Sequence, residues 1–334
     1  MEPAVPEPQL LTVVKLGGAA ITHKHAFESL NQEVLQACAR LLAALHRELS
    51  CSTARDEASA PARLVVVHGA GSFGHHTASQ TGVAHGGIAT SPTVRRGFAD
   101  TRASVTRLNQ LVVSALLAAG VPAVGLSPCG AWSTRGRAVA SDGCASVAGV
   151  LAAGLVPVLH GDAVLDAELG CTILSGDLII SRLCERFRPP VVAFLTNVDG
   201  IFDRPPEQDG ATLIARLEVD DESDAPCREG PQSSSTDSGG FGPRCSSSAA
   251  LPPFAAFAAD GGRVPALQTA AAAHDTTGGV ATKIREAAAV ARLGAEVRIA
   301  AAGGPSAAAA CSPAPLPAGW VGTVVQLRRK GNPS

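Results

Sequence analysis

Residues 65–80 read VVVHGAGSFGHHTASQ, and the glycine loop in this stretch decides the fold. An apolar run typical of a buried strand ends at His68, and three glycines follow at the spacing G-x-G-x-x-G. Such a loop lets backbone N–H groups approach a phosphate closely, and the positive end of the next helix favours an anion. The stretch therefore predicts a phosphate-binding loop between a strand and a helix, with His75 at the start of that helix.

The same glycine spacing marks dinucleotide-binding Rossmann folds, which also need an acidic residue at the end of a strand about 20 residues further on. Here that region reads ATSPTVRRGFAD (residues 89–100), and no strand precedes an acid. A Rossmann oxidoreductase is therefore disfavoured. A histidine beside a phosphate can donate a hydrogen bond to it, most strongly as the imidazolium ion.

Around this loop, apolar runs alternate with stretches of helical periodicity. The predicted strands are residues 10–16, 64–68, 121–127, 154–161, 191–197, 295–301 and 322–327, and the predicted helices are 30–49, 105–119, 178–187 and 282–293. Strands separated by helices indicate βαβ units and a mostly parallel sheet covered on both faces. Such sheets bind ligands outside the carboxyl ends of their strands.

The bulk composition argues against several classes of partner. The net charge is −2 over 334 residues, aromatic residues make up 3%, and tyrosine is absent, which disfavours nucleic acid and membrane surfaces. The longest apolar stretch, residues 111–126, is interrupted by Gly120 and Pro122 and is too short to span a bilayer. Nine scattered cysteines without C-x-x-C spacing fit a reducing compartment. We predict a cytoplasmic protein without a membrane span.

Three further segments combine glycine with charged residues. In KLGG (residues 15–18), a strand runs into two glycines beside a lysine, and Lys24 could reach the same anion if its loop folds back. In LSGDLI (174–179), Asp177 either caps a helix or organises lysines and metal around a nucleotide. In HDTTGGVATKI (274–284), Lys283 lies one turn into a helix that follows a small, polar loop. Each signal is weak alone, because strand lysines and glycine turns are common.

We expect a single domain over residues 11–330 after a disordered N-terminus (1–10). Residues of about 220–262 are rich in Ser, Gly, Pro and Asp and bury too little apolar surface to order themselves, so we predict a flexible insertion there.

Taken together, KLGG, GSFGH, LSGDLI and HDTTGG, in this order and spacing, resemble the amino acid kinase family. Within that family they are similar to the isopentenyl phosphate kinases, in the form found in plants. The resemblance covers most of residues 11–301 and the final strand. It implies a three-layer αβα sandwich around an open, mainly parallel sheet, with an acceptor-binding lobe at about 11–170 and an ATP-binding lobe at about 171–330. It also implies a homodimer.

The resemblance further implies transfer of the γ-phosphate of ATP to isopentenyl phosphate, giving isopentenyl diphosphate and ADP for isoprenoid biosynthesis. His75 would hold the acceptor phosphate and steady the transferred group, while Lys15, Lys24 and Lys283 match the lysines of the family. The matching ATP-binding positions are Lys15, Gly17, Gly18, Ala19, Gly71, Asp177, Gly278, Gly279 and Lys283. The matching acceptor positions are Ala70, Gly71, His75 and Gly161. Mg²⁺ would be carried by ATP, with no direct protein ligand.

Two alternatives stay open at this point. The chain could phosphorylate another acceptor of the family, such as a phosphonate, UMP or a carboxylate. It could also be a non-catalytic regulator that binds a nucleotide on the same fold. A histidine at a helix start behind GSFG favours phosphate or phosphonate acceptors over carboxylates.

Overall fold

Strands rich in valine and leucine form the centre of the molecule. The computed structural model describes residues 9–23, 26–51, 63–221, 251–264 and 279–328. Its strands are β1 (Thr12–Leu16), β2 (Leu64–His68), β3 (Ala123–Gly125), β4 (Ser133–Arg135), β5 (Ala138–Ser141), β6 (Val156–His160), β7 (Asp162–Asp166), β8 (Gly170–Leu174), β9 (Val191–Thr196), β10 (Ile201–Phe202), β11 (Leu213–Ile214), β12 (Arg216–Val219), β13 (Phe254–Phe257), β14 (Arg263–Val264), β15 (Glu296–Ala301) and β16 (Thr323–Leu327).

Helices follow most of the central strands. They are α1 (Gly18–Ile21), α2 (Gln32–Cys51), α3 (Gly71–Thr81), α4 (Pro92–Ala118), α5 (Cys144–Ala152), α6 (Gly176–Phe187), α7 (Gly279–Arg292) and α8 (Ala307–Cys311). Helix α2 contacts α4 and α8, whereas α6 contacts α5 and α7, so a helix layer covers each face of the sheet. None of the described helices is both long and apolar enough to cross a membrane.

Ten strands form the main sheet in the order β14-β13-β12-β16-β15-β9-β1-β2-β6-β3. In this order the neighbours from β15 to β3 are parallel, and so are β12 and β16. Among the described strands of this sheet, the antiparallel pairs are β12 with β13, β13 with β14 and β15 with β16. The side chains of Val13, Val14 and Leu16 are fully buried, as are all residues of β2. The predicted αβα sandwich with a mainly parallel sheet is therefore confirmed.

A second, four-stranded sheet in the order β5-β4-β7-β8 was not predicted. Its strands are three to five residues long, and β5 is largely exposed, so the apolar alternation that identifies a strand is weak. The hairpin of β7 and β8 follows β6 directly, and Asp162 pairs with Leu174 at its open end. This sheet thus places residue 161 and the start of α6 side by side.

Three predicted boundaries are corrected. The helix predicted at 105–119 begins at Pro92, because Ser91 caps it by accepting a hydrogen bond from the Val94 N–H (3.2 Å) and proline suits a first helical turn. Helix α3 begins at Gly71 rather than at His75. The predicted insertion at 220–262 is too long, because β13 pairs with β12 inside the main sheet. Residues 222–250 and 1–8 lie outside the described residues, and the division into two lobes stays a prediction.

Candidate active site

The carboxyl ends of four parallel strands meet at one edge of the sheet. In register, Leu16 of β1 pairs with His68 of β2 and with Leu195 of β9, and His68 pairs with His160 of β6. Since β2 and β9 flank β1 on opposite sides, the chain changes direction at β1. Such a switch point opens a crevice beyond the strand ends, which is where α/β sheets bind ligands.

The glycine loops after β1 and β2 touch each other through their backbones. A Cβ atom added to Gly18 would lie 2.4 Å from the backbone N of Gly71, and one added to Gly69 would lie 2.8 Å from the N of Gly18. Gly71 has a φ of +49°, and a Cβ there would lie 2.2 Å from Oγ1 of Thr22. No side chain larger than hydrogen therefore fits these positions, and we call the two loops, residues 17–19 and 69–71, the glycine cradle.

Several backbone N–H groups of the glycine cradle have no acceptor in the part of the chain that the structure describes. Their neighbours are satisfied: the Gly17 N–H donates to the Leu195 carbonyl (2.8 Å), and the Ser72 N–H donates to Oγ1 of Thr22 (3.0 Å). The backbone N–H groups without an acceptor among the described residues are those of Gly18, Ala19, Ala70 and Gly71. Converging N–H groups on a glycine loop are an anion-binding arrangement.

Lys15 provides a cation at the end of β1. Its Nζ forms ion pairs with Asp177 of α6 and, at 3.2 Å, with Glu286 of α7, and it lies 4.8 Å from the centre of the Phe194 ring. Burial alone would lower the pKa of Lys15, but the two carboxylates outweigh burial and raise the pKa above its usual value. Lys15 is therefore held as a cation, and we call Lys15, Asp177 and Glu286 the charged cluster.

Asp177 does not cap its helix, so the capping role predicted for it is wrong. Ser175 is the cap of α6 and accepts a hydrogen bond from the Leu178 N–H at 3.2 Å. The carboxylate of Asp177 is thus available for Lys15. The neighbouring Gly176 lies against β2, because a Cβ added there would lie 3.3 Å from Val67.

Gly161 lies beside the same loops. Its N–H donates to the carbonyl of His68 (3.1 Å), and a Cβ added to it would lie 3.5 Å from the N of Gly176. The structure therefore brings the ends of β2 and β6 and the start of α6 together.

His75 lies on α3 with an exposed side chain. It follows Gly71 by four residues, so both lie on the same face of the helix, one turn apart. The predicted histidine is thus next to the glycine cradle, one turn inside the helix rather than at its first residue.

A sequence model of the amino acid kinase family matches residues 11–248 of this chain. The chain belongs to the amino acid kinase family. It is 39% identical to the isopentenyl phosphate kinase of Arabidopsis thaliana, over 95% of this chain and 96% of that relative. It is also 32% identical to the isopentenyl phosphate kinase of Methanothermobacter thermautotrophicus, over 59% of this chain and 71% of the relative.

Solved structures agree with this membership. A structure of isopentenyl phosphate kinase is 25% identical and superimposes with a TM-score of 0.65, covering 95% of this chain and all of the other. A product complex of the Thermoplasma acidophilum isopentenyl phosphate kinase, at 19% identity and a TM-score of 0.64, supports the fold alone. The predicted family and its plant-like form are confirmed, because the plant relative matches over far more of the chain than the archaeal one.

For this member of the amino acid kinase family, some predicted site residues cannot be placed. Lys24 and Gly278 lie outside the described residues, and Gly279 is described only as the first residue of α7. Lys283 lies in α7, partly exposed, three residues before Glu286. Residues three apart lie on the same side of a helix, so Lys283 is on the side of α7 that faces Lys15.

Glu286 was not predicted as a site residue. Its pKa is raised to about 7, first by burial and then by the neighbouring charge of Asp177, while Lys15 opposes the shift. One signal in the sequence could have found it, since Glu286 shares a helix side with Lys283. That signal stays weak without knowing that α6 and α7 are neighbours in space.

Proposed function

We propose that this protein transfers the γ-phosphate of ATP to isopentenyl phosphate, giving isopentenyl diphosphate and ADP for isoprenoid biosynthesis. The observation that carries the proposal is the glycine cradle, in which two loops in backbone contact leave four N–H groups without an acceptor among the described residues, with the Lys15 cation on the strand beside them. Two relatives of the chain named isopentenyl phosphate kinase support it, one of them along almost its whole length.

This phosphoryl transfer depends more on anion binding than on a general base. The acceptor is a phosphate monoester with a second pKa near 6, so at neutral pH it is mostly a dianion and already nucleophilic. The difficulty is the approach of two anions, since unit charges about 4 Å apart repel by about 4 kcal/mol at an effective dielectric constant of about 20. Cations and N–H donors that offset this repulsion and align the groups supply the catalysis.

We assign the acceptor phosphate to the side of β2 and β6. His75 and the backbone at Ala70, Gly71 and Gly161 would hold it, and the His75 side chain would donate a hydrogen bond to it. A donor at this place is useful because the phosphate carries its charge into the transition state.

We assign the nucleotide to the side of β1, α6 and α7. The residues that would hold its phosphates are Lys15, Gly17, Gly18, Ala19, Gly71, Gly278, Gly279 and Lys283, with Lys24 reaching the transferred group. Asp177 and Glu286 would orient Lys15 for this task. Their ion pairs to Nζ fix the ammonium at the strand end before a nucleotide arrives.

We propose that Mg²⁺ arrives on the phosphates of ATP. The described residues contain no group of three or more His, Cys, Asp or Glu side chains that could hold a metal ion. The carboxylates of Asp177 and Glu286 are oxygen donors of the type Mg²⁺ accepts, so the charged cluster is compatible with a magnesium nucleotide beside it. When bound, Mg²⁺ neutralises charge on the phosphate oxygens.

The prenyl tail of the acceptor needs an apolar groove. The open face of α4 that carries Phe98, Ala99, Arg102, Ala103 and Thr106 is the surface we assign to it. Arg102 donates to the carboxylate of Asp162 (3.3 Å), the residue after Gly161, which places this face next to the proposed phosphate position. The tail would therefore lie along the N-terminal half of α4, whereas residues 111–119 of that helix line a separate groove against α2.

An assay of ADP release with a panel of acceptors tests the proposal. We expect turnover with isopentenyl phosphate that exceeds turnover with fosfomycin, glutamate and UMP by at least about a hundredfold in kcat/KM, the scale on which a pocket with matched polar partners discriminates. A preference for one of the other acceptors would contradict the proposed substrate. ATP binding without turnover on any acceptor would instead support a regulatory role.

The homodimer is a proposal that rests on the resemblance, and the cytoplasmic location is a proposal that rests on the composition and the scattered cysteines. Sedimentation velocity of the purified chain tests the first, with a dimer mass expected and a monomer mass contradicting it. Localisation of a tagged full-length chain tests the second.

A further inference from the structure

Two histidines are buried side by side next to the glycine cradle. His68 ends β2 and His160 ends β6, the two residues are paired in register, and their rings stack with centroids 5.5 Å apart. Both side chains are fully buried. Within the described residues, Nε2 of neither ring has a hydrogen-bond partner. A buried polar atom without a partner destabilises a fold, so a plain packing role would favour leucine at these positions.

The other ring nitrogen of each histidine makes one contact. Nδ1 of His68 lies 3.1 Å from the carbonyl oxygen of Gly69, and Nδ1 of His160 lies 3.0 Å from that of Gly161. A carbonyl oxygen can only accept, so Nδ1 must carry the proton and Nε2 is bare. Burial and the neighbouring His160 lower the pKa of His68 to about 3, which agrees with a neutral ring at physiological pH.

The contact at Gly69 determines where the next N–H points. In a trans peptide the C=O and the following N–H lie on opposite sides of the chain. A ring that holds the Gly69 carbonyl beneath the loop therefore turns the Ala70 N–H away from the interior. This N–H is one of the groups of the glycine cradle without an acceptor among the described residues.

We propose that His68 is a positioning residue, whose Nδ1–H holds the Gly69 peptide so that the Ala70 N–H points at the acceptor phosphate. His160 supports it by stacking against the ring. The inference rests on the proposed function for the identity of the acceptor, and it goes beyond it by giving a buried side chain a role in acceptor binding.

Three variants separate positioning from packing. The amide nitrogen of asparagine lies as far from Cβ as Nδ1 does, so His68→Asn keeps the donor to Gly69. The amide of His68→Gln reaches the place of Nε2 instead, and His68→Leu keeps the volume without any donor. We expect His68→Leu and His68→Gln to raise the KM for isopentenyl phosphate about three- to tenfold, which is the effect of one hydrogen bond. The KM for ATP should stay within about twofold of wild type in both variants. We expect Asn to stay within about twofold of wild type for both substrates.

Thermal unfolding of the same variants provides the second readout. We expect His68→Leu to be at least as stable as wild type, because it removes the unpaired Nε2, and His68→Asn to be less stable, because it leaves space where the ring was. Stability and acceptor binding should therefore rank the variants in opposite orders. Thr12→Val is the matched control, since Thr12 is also buried, with an oxygen that has no partner among the described residues, but lies at the opposite end of β1. It should leave both KM values unchanged.

Two outcomes would overturn the inference in an active enzyme. One is an equal KM for isopentenyl phosphate in the Leu and Asn variants, and the other is a rise in both KM values that follows the loss of stability. If the wild-type protein does not phosphorylate isopentenyl phosphate, the proposed function fails, and calorimetric binding of inorganic pyrophosphate decides the inference by itself. Binding at least about threefold weaker in Leu than in Asn would support it, and equal binding would overturn it.

Discussion

The charged cluster and the histidine pair, His68 and His160, lie at neighbouring strand ends. The base in the charged cluster is ionised, whereas His68 in the histidine pair is neutral. Lys15 at the end of β1 is kept ionised by Asp177 and Glu286, although burial opposes its charge. His68, at the end of the neighbouring strand and one residue out of register with Lys15, is kept neutral because burial and a second histidine both oppose its charge. Burial acts in the same direction on both bases, so the partner decides the outcome.

The difference suits the two tasks that phosphoryl transfer sets. A cation must neutralise charge where the phosphate moves, and a lysine with two carboxylates does this without losing its proton. The loop that receives the acceptor instead needs N–H groups in a fixed direction. A neutral ring that donates to one carbonyl can provide this without adding a second charge beneath the loop.

The largest expected effect lies at the exposed His75, one helical turn beyond the glycine cradle. His75→Ala and His75→Gln should each lower kcat about 10²- to 10³-fold, the usual cost of losing a donor to a developing anion. The unfolding transition should stay close to wild type, because the side chain is exposed. His76→Ala is the control, as that histidine is also exposed and contacts the Phe27 ring. Wild-type activity in purified His75→Ala would remove His75 from the site.

Removal of the Lys15 ammonium should have the next largest effect. Lys15→Ala should lower kcat/KM for ATP about a hundredfold, since it removes one charged donor to the nucleotide phosphates. Lys15→Arg keeps the charge between the same two carboxylates and should lose less. Steady-state kinetics with varied ATP measures both variants. Unchanged kinetics in Lys15→Ala would exclude Lys15 from nucleotide binding.

A smaller effect concerns the pH dependence of stability, which should have opposite signs at the two clusters. The raised pKa of Glu286, about 7, means that the folded state binds more protons than the unfolded state between pH 4.5 and 7, so this group destabilises the fold as pH rises through that window. The lowered pKa of His68, about 3, means that the unfolded state binds more protons between pH 3 and 6.5, so stability is lost on acidification.

Urea unfolding between pH 4 and 7 measures these two contributions. Relative to wild type, Glu286→Gln should gain stability as pH rises, and His68→Leu should gain stability as pH falls, each at a scale of about 1.4 kcal/mol per unit of pKa shift. Thr12→Val should show no such slope. Slopes of the same sign in the two variants would contradict the assigned charge states.

The smallest expected effect belongs to the segment outside both clusters. Deletion of residues 233–247 should leave kcat/KM within about twofold of wild type, because none of the residues assigned to the site falls in it and its Ser- and Gly-rich composition predicts a flexible insertion. The acceptor assay measures this, and a large loss of activity would give the segment a role in the reaction.

Much of the main sheet could be predicted because its central strands are continuous apolar runs that end in glycine or polar residues. The predicted strands at 10–16, 64–68 and 154–161 overlap β1, β2 and β6. The small sheet could not be predicted, since its short and partly exposed strands carry little periodicity. Strand β13 was missed because its Phe-Ala-Ala-Phe core follows a long polar stretch.

The candidate site also contains residues that the sequence predicts and residues whose role depends on tertiary packing. Lys15, Gly18, Gly71 and Asp177 stand in local motifs, and the structure brings them together at one sheet edge. Glu286 is more than 100 residues from Asp177 and 271 residues from Lys15, so its role depends on the packing of α6 against α7. The contact of His68 with Gly69 is local, but its burial beside His160 depends on the pairing of β2 with β6.

Phosphorus NMR of the purified protein with ATP, Mg²⁺ and isopentenyl phosphate follows the transferred phosphate itself. We expect the monoester resonance to be replaced by the two coupled resonances of a diphosphate, with one ADP formed for each acceptor consumed. Conversion of ATP to ADP and inorganic phosphate with the monoester resonance unchanged would contradict this expectation.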